Sequence, residues 1–82
     1  MSQRFRVTIT RKPGLSDPEG STTHKALTDL GFNEVTEVSF GRIITLTIDS
    51  DDATEARERL DAMCTKLLAN PVMERYEIET LT

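Results

Sequence analysis

The chain is predicted to fold as an α+β domain in which two βαβ units, joined by a tight turn, build a four-stranded antiparallel sheet with both helices on one face. Three observations carry that expectation. Residues 4–10 and 72–80 alternate between apolar and polar side chains. Residues 53–67 repeat their apolar positions at helical spacing behind a capping sequence. Two runs rich in β-branched residues, 34–40 and 42–49, are separated by the single glycine Gly41.

The first strand is the clearest element. Phe5, Val7 and Ile9 fall on one side and Arg4, Arg6, Thr8 and Thr10 on the other, the pattern of a half-buried strand. Residues 11–20 hold two prolines and two glycines, which exclude a regular ladder or helix and predict a shaped loop. A first helix is expected from Ser21 to Leu30, where Thr23, Ala26, Leu27 and Leu30 share a face, with Gly31 as a left-handed cap and Phe32 folding back behind it. Glu34 to Phe40 and Arg42 to Asp49 then read as two strands joined at Gly41, with a bulge near Thr36-Glu37 because Val35, Val38 and Phe40 break parity once. The capping box at Asp52-Ala53-Thr54-Glu55 opens a second helix whose inward stripe reads Ala53, Ala56, Leu60, Met63, Cys64 and Leu67. Asn70-Pro71 stops it. In the last strand Tyr76 and Ile78 lie opposite Arg75, Glu77 and Glu79. The order strand, helix, strand, strand, helix, strand is the ferredoxin-like layout. It sets the last strand beside the first, with Glu77 and Glu79 near Arg4 and Arg6 on the open face, among Thr8, Thr10, Thr45, Thr47, Ile43 and Met73.

Size and charge limit what such a domain does. The 82 residues, 37% apolar and 29% charged, suffice for one domain over residues 1–82. A chain this short hides only about 60% of its extended surface on folding, which leaves a thin interior and favours self-association. Fourteen acidic against ten basic residues give a net charge of -4, the wrong sign for a phosphate grip on nucleic acid. The aromatic stacking platform of an RNA-recognition sheet is absent as well. No apolar run approaches the roughly 20 residues of a membrane span, and the N-terminus shows no export signal, so a cytoplasmic protein is expected.

Reactive groups are few. His24 is the only histidine and has no second imidazole or thiol to share a metal. Cys64, the only cysteine, falls on the inward helical stripe as a small apolar side chain. Asp49-Ser50-Asp51-Asp52 resembles the start of a calcium loop, but Ala53, Thr54 and Leu60 replace the ligands and glycine that loop needs, so helix capping explains it. The four glycines match neither dinucleotide nor P-loop spacing. No catalytic residue, bound cofactor or metal is therefore expected. What remains is the loop after the first strand, where Arg11 and Lys12 precede Gly14 and Asp17 and lead into helix one. A loop of this composition serves a small domain as a contact surface or as a connector.

Three stretches resemble the PurS family, the small subunit of phosphoribosylformylglycinamidine (FGAM) synthase. They are Lys12 to Gly20 running on to Ala26 to Phe32, then Val38 to Arg42, then Met63 to Tyr76, in that order and over nearly the whole chain. Ser16 stands where the family usually has an apolar residue, and Glu19 where it usually has glutamine. The resemblance implies a non-catalytic subunit that binds no cofactor itself. Its complex uses ATP and glutamine, with a PurL synthetase subunit for the ATP chemistry and a PurQ glutaminase subunit that releases ammonia. A PurS homodimer would bridge the two and help ammonia pass. Arg11, Lys12, Gly14, Asp17 and Arg42 are then the expected partner-interface residues. The same order of elements also serves regulatory domains that bind amino acids between paired subunits, which is the alternative reading.

Overall fold

The computed structural model describes residues 1–81. Strand β1 (Ser2–Arg11) lies at the centre of the sheet, between β2 (Gly41–Asp49) and β3 (Glu74–Thr80), and both neighbours run antiparallel to it. Central placement agrees with its sequence: Phe5, Val7 and Ile9 are at most 1% exposed, and β1 backbone groups bond to both sides. Hydrogen bonds from Ser50 N to Met1 O, and from Leu81 N to Arg4 O, fix which residues face which partner. Odd-numbered β1 residues bond toward β2 and even-numbered ones toward β3.

The register places side chains in rows. On the covered face Val7 lies between Ile44 and Ile78; on the open face Arg6 lies between Thr45 and Glu79, and Thr8 between Ile43 and Glu77. Arg6 and Glu79 form the expected cross-strand pair at 2.7 Å, exposed enough to contribute only about 0.2–1 kcal/mol. Met73, expected on that face, sits instead in the turn before β3.

One helix covers the sheet. Asp52 caps α2 (Ala53–Met63) by accepting hydrogen bonds from Thr54 N and Glu55 N at 2.9 and 3.2 Å, while its own N–H donates to Ser50 Oγ rather than to Glu55. Ala56, Leu60 and Cys64 pack on β1, joined by Met63, Leu68 and Ala69. Leu67 was expected inward but is 82% exposed. A single π-turn over Cys64–Leu68, closed by Ala69 N to Cys64 O at 3.0 Å, rotates the last residues so that Leu68 takes the inward place. Burial of Phe5, Ile9 and Leu60 contributes about 1.5–3 kcal/mol each.

The four-stranded sheet with two helices on one face is not what forms. The sheet has three strands, and Glu34–Phe40 joins none of them. Gly41 explains the failure. It does not have the positive φ that a two-residue hairpin demands; positive φ occurs at Gly14 and Gly31 only. Its missing side chain serves a close approach instead, since a Cβ there would lie 2.5 Å from Ile9 O. The chain therefore runs straight from residues 34–40 into β2, with no turn and no bulge at Thr36-Glu37.

Helix α1 (Pro18–Asp29) begins three residues earlier than expected and ends as expected. Gly31 has φ 99°, and Phe32 N bonds to Leu27 O at 2.9 Å. It contributes nothing to the hydrophobic core, and Gly20 is its only buried residue. With residues 30–40 it forms an arm that packs on itself: His24 Nε2 donates to Val35 O at 2.8 Å, and Asp17 holds Phe40 N at 2.8 Å. The result is an elongated molecule, 51 × 25 × 14 Å, with a radius of gyration of 16.4 Å against about 12 Å for a compact chain of this length.

Candidate functional site

The five residues singled out by sequence, Arg11, Lys12, Gly14, Asp17 and Arg42, gather at one end of the sheet. β1 ends there, and β2 and β3 begin there. Asp17 is the best-determined of them. Its Oδ1 accepts from Gly20 N at 2.9 Å, capping α1, and its Oδ2 accepts from Phe40 N. These amide donors, Phe40 first, hold its carboxyl below the usual carboxylate range, with Arg11 helping slightly. Both oxygens are thus occupied by backbone, which leaves Asp17 a clamp and not a base.

Lys12 and Arg42 are tied down as well. Lys12 N donates to Met73 O at 2.9 Å and its Nζ to Pro71 O at 2.7 Å. Arg42 grips Glu74 with two hydrogen bonds, 2.7 and 3.1 Å, and gives a third to Leu68 O at 2.7 Å. Glu74 was not singled out by sequence, yet it is the hub. It faces Arg11 across the ladder, binds Arg42, and accepts from Asn70 N at 2.8 Å, which ties β3 to the end of the π-turn. Arg42 and the Asn70 amide depress its pKa in that order, and Glu74 in turn raises that of Arg42. The signal was available: pairing the last strand antiparallel to the first puts a carboxylate opposite Arg11.

Arg11, Asp17, Arg42 and Glu74 line a small cleft of about 140 Å³ together with Phe40. Gly14, at φ 84°, lets the loop turn beside it, in a backbone conformation that side chains disfavour. No nucleophile or acid–base pair faces this cleft. A wider basin of about 860 Å³ lies elsewhere, against Asp61 and Tyr76. There the Tyr76 hydroxyl donates to Asp61 at 2.5 Å, and the adjacent carboxylate pushes its pKa up to about 12. Cys64 is fully buried, and burial raises its thiol pKa, the opposite of activation. Among the described residues no group of three His, Cys, Asp or Glu could hold a metal ion, and no helix is long and apolar enough to cross a membrane.

The knot is a docking shape, and comparison with known proteins says whose. Residues 4–82 match the family described as PurS: phosphoribosylformylglycinamidine (FGAM) synthase. This chain belongs to the PurS family. The FGAM synthase subunit PurS of Methanocaldococcus jannaschii is 42% identical over 73 residues, 89% of this chain and 88% of that one. The crystal structure of M. jannaschii PurS, one of the subunits of formylglycinamide ribonucleotide amidotransferase in the purine biosynthetic pathway, superposes with a TM-score of 0.83 at 41% identity, over 98% of this chain and 95% of that one. A chain in the structure of PurLQS from Thermotoga maritima gives a TM-score of 0.90 at 27% identity over 99% of each. These PurS-family matches span the arm as well as the sheet.

The clamp and the hub predict a pH profile. Asp17 and Glu74 have lowered pKa values, so their contribution is complete above the ordinary carboxylate range and is lost as pH falls below about 4. The Tyr76 pKa is raised, so its contribution holds up to about pH 10 and is lost toward 12. Amide exchange at Phe40 and Gly20 should accelerate at the acid end before Val7 does; simultaneous loss would mean that the loop and the core unfold as one.

Proposed function

We propose that this chain is the small, non-catalytic subunit of FGAM synthase in de novo purine biosynthesis. It acts in the cytoplasm as a single unit over residues 1–82 and self-associates. It bridges a PurL-type synthetase and a PurQ-type glutaminase, and assists ammonia transfer within a complex that consumes ATP and glutamine. The observation that carries this reading is the match, over 99% of each chain, to the chain in PurLQS of T. maritima. The chemistry of the knot supports it. Asp17, Lys12 and Arg42 satisfy their hydrogen bonds within the chain, so they present a fixed surface instead of a reactive group. Arg11 and Lys12 form its cationic rim, with Gly14 setting the loop's turn.

Mixing the chain with PurL- and PurQ-type subunits, ATP and glutamine should give a larger complex on sizing chromatography and FGAM formation that depends on all three proteins. Reversing both charges, Arg11→Glu with Lys12→Glu, should weaken assembly about tenfold at low salt and less at high salt, because rim charges act mainly through screened attraction. Unaltered assembly by the double variant would remove the loop from the interface. Glutamine or ATP turnover by the purified chain alone would overturn the subunit reading.

A further inference from the structure

We propose that residues 34–40 of one copy add a strand to the free edge of β2 in a second copy, reciprocally about a two-fold axis; this specifies the self-association proposed above. The segment is extended and β-branched, yet among the described residues the amides of Glu34, Thr36, Glu37, Val38 and Ser39 have no partner within the chain. Val38 O and Phe40 N point toward the start of α1, where they meet Gly20 and Asp17. The backbone groups of Glu37 and Ser39 therefore point the other way, into open space.

The edge that matches is on the same molecule but out of reach. Even-numbered β2 residues bond to β1, so Ile43, Thr45 and Thr47 direct their N–H and C=O groups outward along an exposed border free of lysine, proline or bulge. The straight passage through Gly41 prevents residues 34–40 from folding back onto it. A second copy supplies the strand, and a two-fold axis makes both arms pair at once. Parity agrees: with the odd-numbered backbone groups of each strand facing one another, Val38 and Phe40 fall on the same face as Ile44 and Leu46, which α2 leaves half-buried.

Area points to the same occupant. The chain exposes 5997 Å², about 1,000 Å² more than a folded monomer of 9.2 kDa exposes by the surface scaling rule. Removing that excess from each of two copies amounts to about 2,000 Å² in total, the size of a permanent dimer interface.

The test uses the purified full chain. Thr45→Pro and Ser39→Pro each delete one outward N–H, at positions where the chain's own ladder uses none. Sedimentation from nanomolar to high micromolar concentration should show a dimer for the parent chain and, for each variant, dissociation about 30-fold or more easier, since each substitution removes a bond twice per dimer. Hydrogen exchange on the parent chain should show Glu37, Ser39 and Thr45 protected in step with dimer formation, a readout that stands even where a variant fails to fold. A parent chain that stays monomeric, or a dimer in which those amides exchange freely, overturns the proposal. FGAM formation with PurL- and PurQ-type subunits is read in parallel. Parent chain that supports it while dimerising elsewhere removes the strand exchange and leaves the subunit role intact.

Discussion

Replacing Leu60 by alanine should cost about 2–5 kcal/mol and lower the melting temperature by about 10 °C or more, measured at fixed protein concentration. The size of the effect follows from the construction of the core. Three strands are covered by one helix, and Leu60 lies at the middle of that helix with no exposed surface, against Phe5, Val7 and Ile9. Deleting its branch leaves a cavity that no second layer can fill, because α1 lies outside the core. Leu67→Ala on the same helical stretch is the control. Its side chain is 82% exposed, and its change should stay within about 0.5 kcal/mol. Equal losses for the two would mean that the π-turn does not set which leucine is buried.

The second large effect reverses a familiar sign. Glycine to alanine inside a helix ordinarily gains about 1 kcal/mol. At Gly20 it should instead cost about 1–3 kcal/mol or more, because the new Cβ would lie 2.2 Å from Val38 O and 2.9 Å from Asp17 Oδ2. The first of these is backbone, so α1 and the 34–40 segment must separate. The loss should be confined to the arm. Exchange at the Phe40 amide rises, exchange at Val7 does not, and assembly with the other subunits falls. A variant that keeps Phe40 protected would show that α1 and the segment can shift together at little cost.

These contrasts bear on what could be read from residues alone. β1, α2 and β3 were legible because alternation and helical spacing report burial on one face, and each of these elements has that face buried within the chain. Residues 34–40 carry an equally good strand signature, and they are extended. Propensity does not state which molecule supplies the partner, so counting them into the sheet gave four strands where three form. Gly41 was misread for a related reason: a lone glycine between strands fits a turn and a close approach equally well, and only the contact with Ile9 O decides. At the site, Arg11, Lys12, Gly14, Asp17 and Arg42 come together because they lie at three strand or helix ends that the topology places side by side. Glu74 was missed because its carboxylate looks like any polar residue at a strand start until the ladder puts it opposite Arg11.

The outer border of β3 deserves a last consequence. It carries Arg75, Glu77 and Glu79 along its length, and Arg57 Nη1 reaches across to bond Ile78 O at 3.3 Å. Sheets that grow into fibres need two receptive margins, one to accept and one to pass on the next strand. This sheet offers a single receptive margin, so addition halts after one step, and a protein with bare backbone on display escapes runaway polymerisation.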